Sequence, residues 1–269
     1  LVAYPGVAIG PAAILEERLG FADILHEEQI DIANELKKLE SALEKTCIQT
    51  IFLEKRVAER LSENDAAIFH THLMILEDRS FIRKLQNQIS NGHSAAYALE
   101  KTVADYIEVF HNMQDPYLRE RATDMEDIGR RILANLVGEA TDQVLHLKHP
   151  SILVARQILP SDMAALDNEQ ILAIVTEVGE KNAHAIIMAK SMGIPAIVAV
   201  RGALKNIAPE DSLIVDGNTG RIYINPLETV KDEYHRLQVD QTRELCRLEQ
   251  YRDEPAMTAD GHRITLRAN

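Results

Sequence analysis

The chain has 269 residues, with 29 Lys plus Arg against 42 Asp plus Glu for a formal charge of −13, and 46% of it is apolar, 4% aromatic and none of it Trp. That length suits one or two ordinary domains with real cores. The acidity disfavours a general nucleic-acid binder, which needs clustered cations on its surface, and the lack of aromatics disfavours immunoglobulin-like sandwiches, stacking platforms and membrane belts.

In chain order, Val2-Ala3-Tyr4, a Pro5-Gly6 turn, Val7-Ala8-Ile9-Gly10 and Ala12-Ala13-Ile14-Leu15 read as β structure. Between about residues 27 and 138 glycine nearly vanishes, and Pro116 is the single proline. Leu36, Leu39, Leu43, Cys47 and Ile51 recur every three or four residues, the period of an amphipathic helix. Ser62 with Asp65 three residues on is an N-cap signal, Asn91-Gly92 a helix stop, and Pro116 suits a first helical turn. Four or five helices are expected here, packed as a bundle. Beyond residue 150, Ile152–Ala155, Ile171–Val175, Ala196–Val200, Leu213–Val215 and Arg221–Ile224 are strand-length. They alternate with helix-like pieces near Ser161–Leu166 and Ala183–Met192, an α/β pattern. Residues 227–253 read as a polar helix that Pro255 ends. The expected organisation is an α/β domain (1–25 and 145–225) interrupted by an all-α insert (26–144), followed by a linker helix (226–254). Leu1 is not Met, and Ile264–Asn269 resembles a strand cut short, so a fragment of a longer protein is expected.

Phosphate-binding loops, dinucleotide fingerprints, zinc-hydrolase and EF-hand motifs and G-x-S-x-G are all absent from the sequence. Cys47 and Cys246 stand far apart, so neither a zinc site nor a disulfide framework is indicated. Among ten histidines, His70 and His72 point to different faces of a helix and cannot share a metal there. His146 and His149 read as surface residues beside Pro150. His184 differs. It follows a strand and the turn Glu177–Asn182, and precedes the helical run Ala185–Met192, closed by Gly193 and Pro195. With Asn182 as N-cap, His184 falls in the first turn of that helix. There the unpaired amides and the dipole favour a phosphate and disfavour an imidazolium. A neutral, nucleophilic histidine and a bound phosphoryl group suit the same spot. A plain loop histidine is the bland alternative.

The run Gly179-Glu180-Lys181-Asn182-Ala183-His184-Ala185-Ile186-Ile187-Met188-Ala189-Lys190, then Gly193-Ile194-Pro195-Ala196-Ile197-Val198, resembles the phosphohistidine segment of phosphoenolpyruvate-utilising enzymes. More narrowly, nearly the whole chain resembles the N-terminal region of Enzyme I of the phosphoenolpyruvate:sugar phosphotransferase system or its nitrogen-related paralogue. Pro5–Gly10, Ile68–Asp78, Tyr117–Asp124 and Pro255–Gly261 carry this likeness in the same order. The resemblance implies a swivelling phosphohistidine domain, with residues 255–269 opening a C-terminal barrel. It implies that His184 accepts a phosphoryl group from phosphoenolpyruvate bound with Mg²⁺ on that barrel, with no metal in this segment. Asn182, Ala183, Gly179 and Lys190 would support the phosphate. The group would pass to a histidine of the phosphocarrier HPr, or an HPr-like carrier, docked on the helical lobe at Glu63, Ala67, His72, Met74, Ile75, Phe81 and Arg121.

The family usually has Gly at Glu180, Thr-Ser at Asn182-Ala183 and Arg at Lys190, and acidic residues at Arg79 and Ser80. Those departures remove a hydroxyl donor and a bidentate fork and add a negative charge. The alternatives are a non-catalytic regulatory module and the swivelling domain of a pyruvate phosphate dikinase-like enzyme. No apolar run approaches the ~18 residues of a membrane span, and no signal peptide is legible. A cytoplasmic chain without membrane or nucleic-acid partners is therefore expected, monomeric as a fragment and homodimeric at full length.

Overall fold

A computed structural model describes residues 1–15, 30–138, 147, 149–249, 251, 255–258 and 260–265. The expected boundaries at 25/26, 144/145 and 254/255 involve residues outside that set. The chain forms two units, Leu1–Asn225 and Pro226–Asn269.

Among the described residues of the first unit, seven strands make one mixed sheet. They are β1 (Val2–Tyr4), β2 (Val7–Leu15), β3 (Ser151–Ala155), β4 (Ile171–Thr176), β5 (Ala196–Ile197), β6 (Ser212–Asp216) and β7 (Arg221–Ile224). Their order is β1-β5-β4-β3-β2-β6-β7, so β2 falls inside the sheet built by the last third of this unit and β1 joins its edge. Strands β2 to β5 run parallel to one another, while β1, β6 and β7 pair antiparallel. The two apolar runs expected before residue 15 are a single strand. Its first half pairs with β6 up to Pro11–Ser212 and its second half with β3 from Ala12–Ile152. Pro11, which has no amide to donate, falls at that changeover. The strand expected over 196–200 stops at Ile197. Ala199 takes a left-handed φ of 56°, which an extended strand cannot accommodate.

Side chains of β3 and β4 alternate between two cores, as the two-residue period requires. Leu153, Ala155 and Ile174 face one cluster; Ile152, Val154, Ala173 and Val175 face the other, while Ile171, ahead of the register shift between Ser151 and Ile152, joins the first. The first cluster includes Met163 of α6 (Pro160–Ala165) and Ala185, Met188 and Ala189 of α7 (His184–Ser191). The second is covered by Ala203 of α8 (Ala203–Asn206) and by Ile207.

Among the described residues the insert forms five helices, α1 (Ile32–Arg60), α2 (Glu63–Leu76), α3 (Arg79–Ser90), α4 (Ala95–His111) and α5 (Pro116–Val137). Local signals set their ends. Asp31, Ser62, Asp78 and Ser94 each cap a first turn with a side-chain oxygen, and Gly92 takes the positive φ of 91° that follows α3. The bundle core is apolar, with Leu39, Phe81, Leu85, Leu99, Ile128 and Ile132 almost fully buried.

The bundle and the sheet share a seam. Val57, Ala66, Ile68 and Phe69, from α1 and α2, belong to the sheet-side cluster. Polar links cross it as well, among them hydrogen bonds that hold α6 and α7. The buried Asp127 of α5 accepts the Ser161 amide at 2.9 Å and the Ser161 hydroxyl at 2.5 Å, holding the start of α6. Ser191, at the end of α7, donates to Asp65 of α2 at 3.0 Å. The helix that carries His184 is thereby held against the lobe inserted more than a hundred residues earlier.

The second unit contains α9 (Glu228–Glu249), then an antiparallel bridge between Met257 and Arg263. Among the described residues no helix is long and apolar enough to cross a membrane.

Candidate functional site

Strand β4 ends at Thr176 and its ladder runs on briefly, because Glu177 and Val178 amides donate to Ala155 and Arg156 carbonyls at 3.0 and 2.9 Å. The chain then turns at Gly179, whose φ of 127° is a conformation glycine adopts freely. Helix α7 begins at His184 itself. Its N-cap is Ala183, not Asn182. The Ala183 carbonyl accepts from the amides of Ile186 and Ile187 at 2.8 and 3.0 Å, which puts Asn182 one residue too early to cap. No side chain caps α7, so the amides of His184 and Ala185, ahead of those bonded to Ala183, are open to an anion. The Lys190 ammonium donates to the Lys181 carbonyl at 2.8 Å and closes the loop.

His184 is about a quarter exposed, on the wall of a cleft of about 420 Å³ that α5 and the 176–183 loop also line. Across from it stands Asp124 of α5, 1% exposed. Asp124 Oδ1 lies 3.5 Å from His184 Nδ1 and 3.8 Å from His72 Nε2, while Oδ2 accepts from Arg121 at 3.1 Å. The two imidazole distances are longer than hydrogen bonds, so these contacts are electrostatic in this geometry. Burial pushes the Asp124 carboxyl up, but the two histidines outweigh it and hold the group well below the usual carboxylate range. Glu120, on the same cleft, goes the other way. Burial raises it, with Glu180 and Asp124 adding repulsion against the opposing pull of His184 and Arg121. Thr176 adds a buried hydroxyl on the cleft with no protein hydrogen-bond partner.

Asp124, Glu120 and Thr176 were not among the residues expected from sequence. Asp124 closes the Tyr117–Asp124 stretch, but no spacing rule links it to a histidine sixty positions later. The expected docking residues divide. Glu63, Ala67 and Met74 are exposed at helical spacing on α2, with Met74 64% exposed. Ile75 is half-buried and packs on the bundle core. Phe81 and His72 are 1% and 0% exposed, so neither presents a surface to a partner. Phe81 is drawn inward with Leu85 and Ile89 by the four-residue period of α3; His72 faces Asp124. Arg121 is mostly covered and pairs with Asp124. His70, by contrast, is exposed and 3.8 Å from Glu54. Among the described residues no group of three His, Cys, Asp or Glu side chains is placed to hold a metal.

The first unit is thus an α/β domain with a mixed sheet, interrupted by an all-α lobe, with a histidine opening a helix after a parallel strand. Family profiles agree. Residues 1–121 match the PEP-utilising enzyme N-terminal region, and residues 147–220 match the PEP-utilising enzyme mobile domain. The phosphoenolpyruvate-protein phosphotransferases of Staphylococcus carnosus and Haemophilus influenzae are 32% and 34% identical over the whole chain, which covers 47% of each. A solution structure of Enzyme I is 31% identical, with a TM-score of 0.70 over 89% of this chain and 97% of that one. The N-terminal domain of the nitrogen Enzyme 1 is 28% identical, with a TM-score of 0.57 over 88% of this chain and 97% of that one. The chain belongs to the PEP-utilising enzyme family, as an N-terminal region of the Enzyme I type. It spans about half the length of these curated relatives.

Proposed function

We propose that His184 is a phosphohistidine that relays a phosphoryl group between phosphoenolpyruvate and the histidine of a small carrier protein, HPr or an HPr-like one. The observation that carries this reading is the position of His184 as the first residue of an uncapped helix, on an open cleft, with a buried carboxylate behind its Nδ1. The helix start favours a phosphate dianion through free amides and the dipole. The contact of Nδ1 with Asp124 leaves Nε2 as the nitrogen for attack. Thr176 offers a hydroxyl to the same cleft. Phosphoenolpyruvate and Mg²⁺ would be handled by the portion of the relatives outside the matched half.

The carrier would dock along the exposed stripe Glu63, Ala67 and Met74 of α2, beside Ile75. The net charge of −13 favours a basic partner surface. A cytoplasmic sugar-uptake or nitrogen-regulatory relay is the setting that fits such a carrier. The test is intact-mass spectrometry after incubation with phosphorylated carrier. Wild type should gain one acid-labile phosphate and His184→Ala none, both remaining folded by circular dichroism. Uptake by the variant would remove His184 from the reaction. No uptake by wild type from either sugar-type or nitrogen-type carriers would favour a regulatory binding module.

A further inference from the structure

Both ring nitrogens of His72 and Asp124 Oδ1 are buried without a hydrogen-bond partner. Three such atoms in one place, fully shielded from solvent, are costly unless the arrangement serves something. They are not scattered: Asp124 Oδ1 lies between His72 Nε2 on one side and His184 Nδ1 on the other. Arg121 holds the carboxylate through Oδ2 at 3.1 Å, and the ring of Phe69 stands edge-on against the His72 ring with centroids 5.6 Å apart. The three residues come from α2, α5 and α7, which the Ser191–Asp65 and Ser161–Asp127 links keep in register.

We infer that Asp124, braced by His72 and Arg121, is the positioning residue of His184: it fixes the tautomer with the proton on Nδ1 and the lone pair on Nε2, and offsets the ring charge once Nε2 carries phosphate. This rests on the phosphoryl-transfer reading above and specifies how that site is prepared. A carboxylate opposite Nδ1 favours a proton there, whereas a free histidine side chain favours the other tautomer. In the step itself, the Nε2 lone pair of neutral His184 forms the new N–P bond. The N–P bond of the donor phosphohistidine breaks, and its electron pair returns to the donor ring, which leaves as neutral imidazole. The His184 ring, still protonated on Nδ1, now bears a positive charge 3.5 Å from Asp124. No proton has to move. Reversal follows the same path, so the carboxylate serves acceptance and donation alike. Glu120 and Glu180 share the cleft and interact with one another, but their carboxylates would meet the incoming phosphate with like charge. Asp124 differs in lying at Nδ1.

The experiment is imidazole ¹⁵N NMR of the histidine-labelled chain near neutral pH, for wild type, Asp124→Asn and His72→Gln. It is followed by phosphorylation with phosphoramidate, a small donor that needs no docking surface, read by ³¹P NMR. Wild type should show a protonated Nδ1 and an unprotonated Nε2 at His184, and phosphorus on Nε2. Asp124→Asn should lose the tautomer bias and take up phosphate at least tenfold more slowly. His72→Gln should weaken the bias partially, while the amide spectrum of α7 remains that of the folded chain. Retention of the wild-type tautomer in a folded Asp124→Asn variant overturns the inference. So does a free-histidine tautomer in wild type, which decides the matter even where Asp124→Asn does not fold. A fixed Nδ1–H tautomer with no phosphate taken up would support the positioning role and count against the phosphoryl reading alone.

Discussion

The interior of the helical lobe and the seam between that lobe and the sheet are held by different physics. The lobe is a continuous apolar core, with Leu39, Leu85, Leu99, Ile128 and Ile132 under one or two per cent exposed. Its contacts are many and individually weak. At the seam, a smaller apolar patch around Phe69 is supplemented by directional links, Asp127 to Ser161 and Asp65 to Ser191, and by the His72–Asp124–His184 row. Apolar packing supplies most of the stability but tolerates small shifts, whereas a carboxylate opposite a ring nitrogen sets position and charge together. The lobe's core makes a platform; the seam aims His184.

The contrast is broken most severely from the apolar side. Phe81→Ala removes a buried ring from the lobe core and is expected to cost about 3–5 kcal/mol. Urea unfolding followed by circular dichroism measures it. Asp127→Ala strips the Ser161 amide and hydroxyl of their acceptor and should cost on the order of 1–3 kcal/mol. Hydrogen exchange should speed up at Ser161 and along α6 before it does in the lobe core, and uniform acceleration would contradict a separate seam.

Acid sharpens the comparison further. The Asp124 carboxyl is held below its ordinary value near about 3.9, so the native state binds this proton less readily than the unfolded chain. Its contribution is fully present above about pH 4 and is lost as pH falls from there toward the depressed native value. Denaturation midpoints at pH 6 and pH 3 should therefore converge between wild type and Asp124→Asn, if the variant folds, with the wild type losing more on acidification. The smallest effect on stability is expected at the outer face of the lobe. Met74→Glu, at a position 64% exposed, should change stability by less than about 0.5 kcal/mol. It should nonetheless weaken carrier binding about tenfold by calorimetry, and that binding should also fall as salt rises. Met74 is the cleaner probe than Ile75, which packs on the core.

The helices and most of the strands were legible because their signals are local. Ser62, Asn91-Gly92 and Pro116 mark helix ends through side chains and backbone preferences that act within a turn. The position of His184 in a first helical turn was legible for the same reason, and the resemblance in the run Gly179–Lys190 pointed to the residue itself. The errors fall where a neighbour in sequence competes with one in space. Asn182 has the better capping side chain, yet the turn tied by Lys190 and the Glu180–Ala183 hydrogen bond starts the helix one residue later. Ala196–Val200 has the composition of a strand, but the backbone leaves the sheet at Ala199 after pairing with β1.

The sequence by itself determined the α/β texture, the helical insert, the acidic surface and the histidine at the head of α7, because periodicity, caps and charge are properties of short stretches. Only the tertiary structure decided that residues 2–15 join strands from beyond residue 150, that His72 and Phe81 turn inward while Met74 faces out, and that Asp124 meets both His72 and His184. Those outcomes depend on which faces of α2, α5 and α7 are pressed together when the apolar seam forms. Helical periodicity tells which residues share a face; it does not tell which face of another helix will be brought opposite.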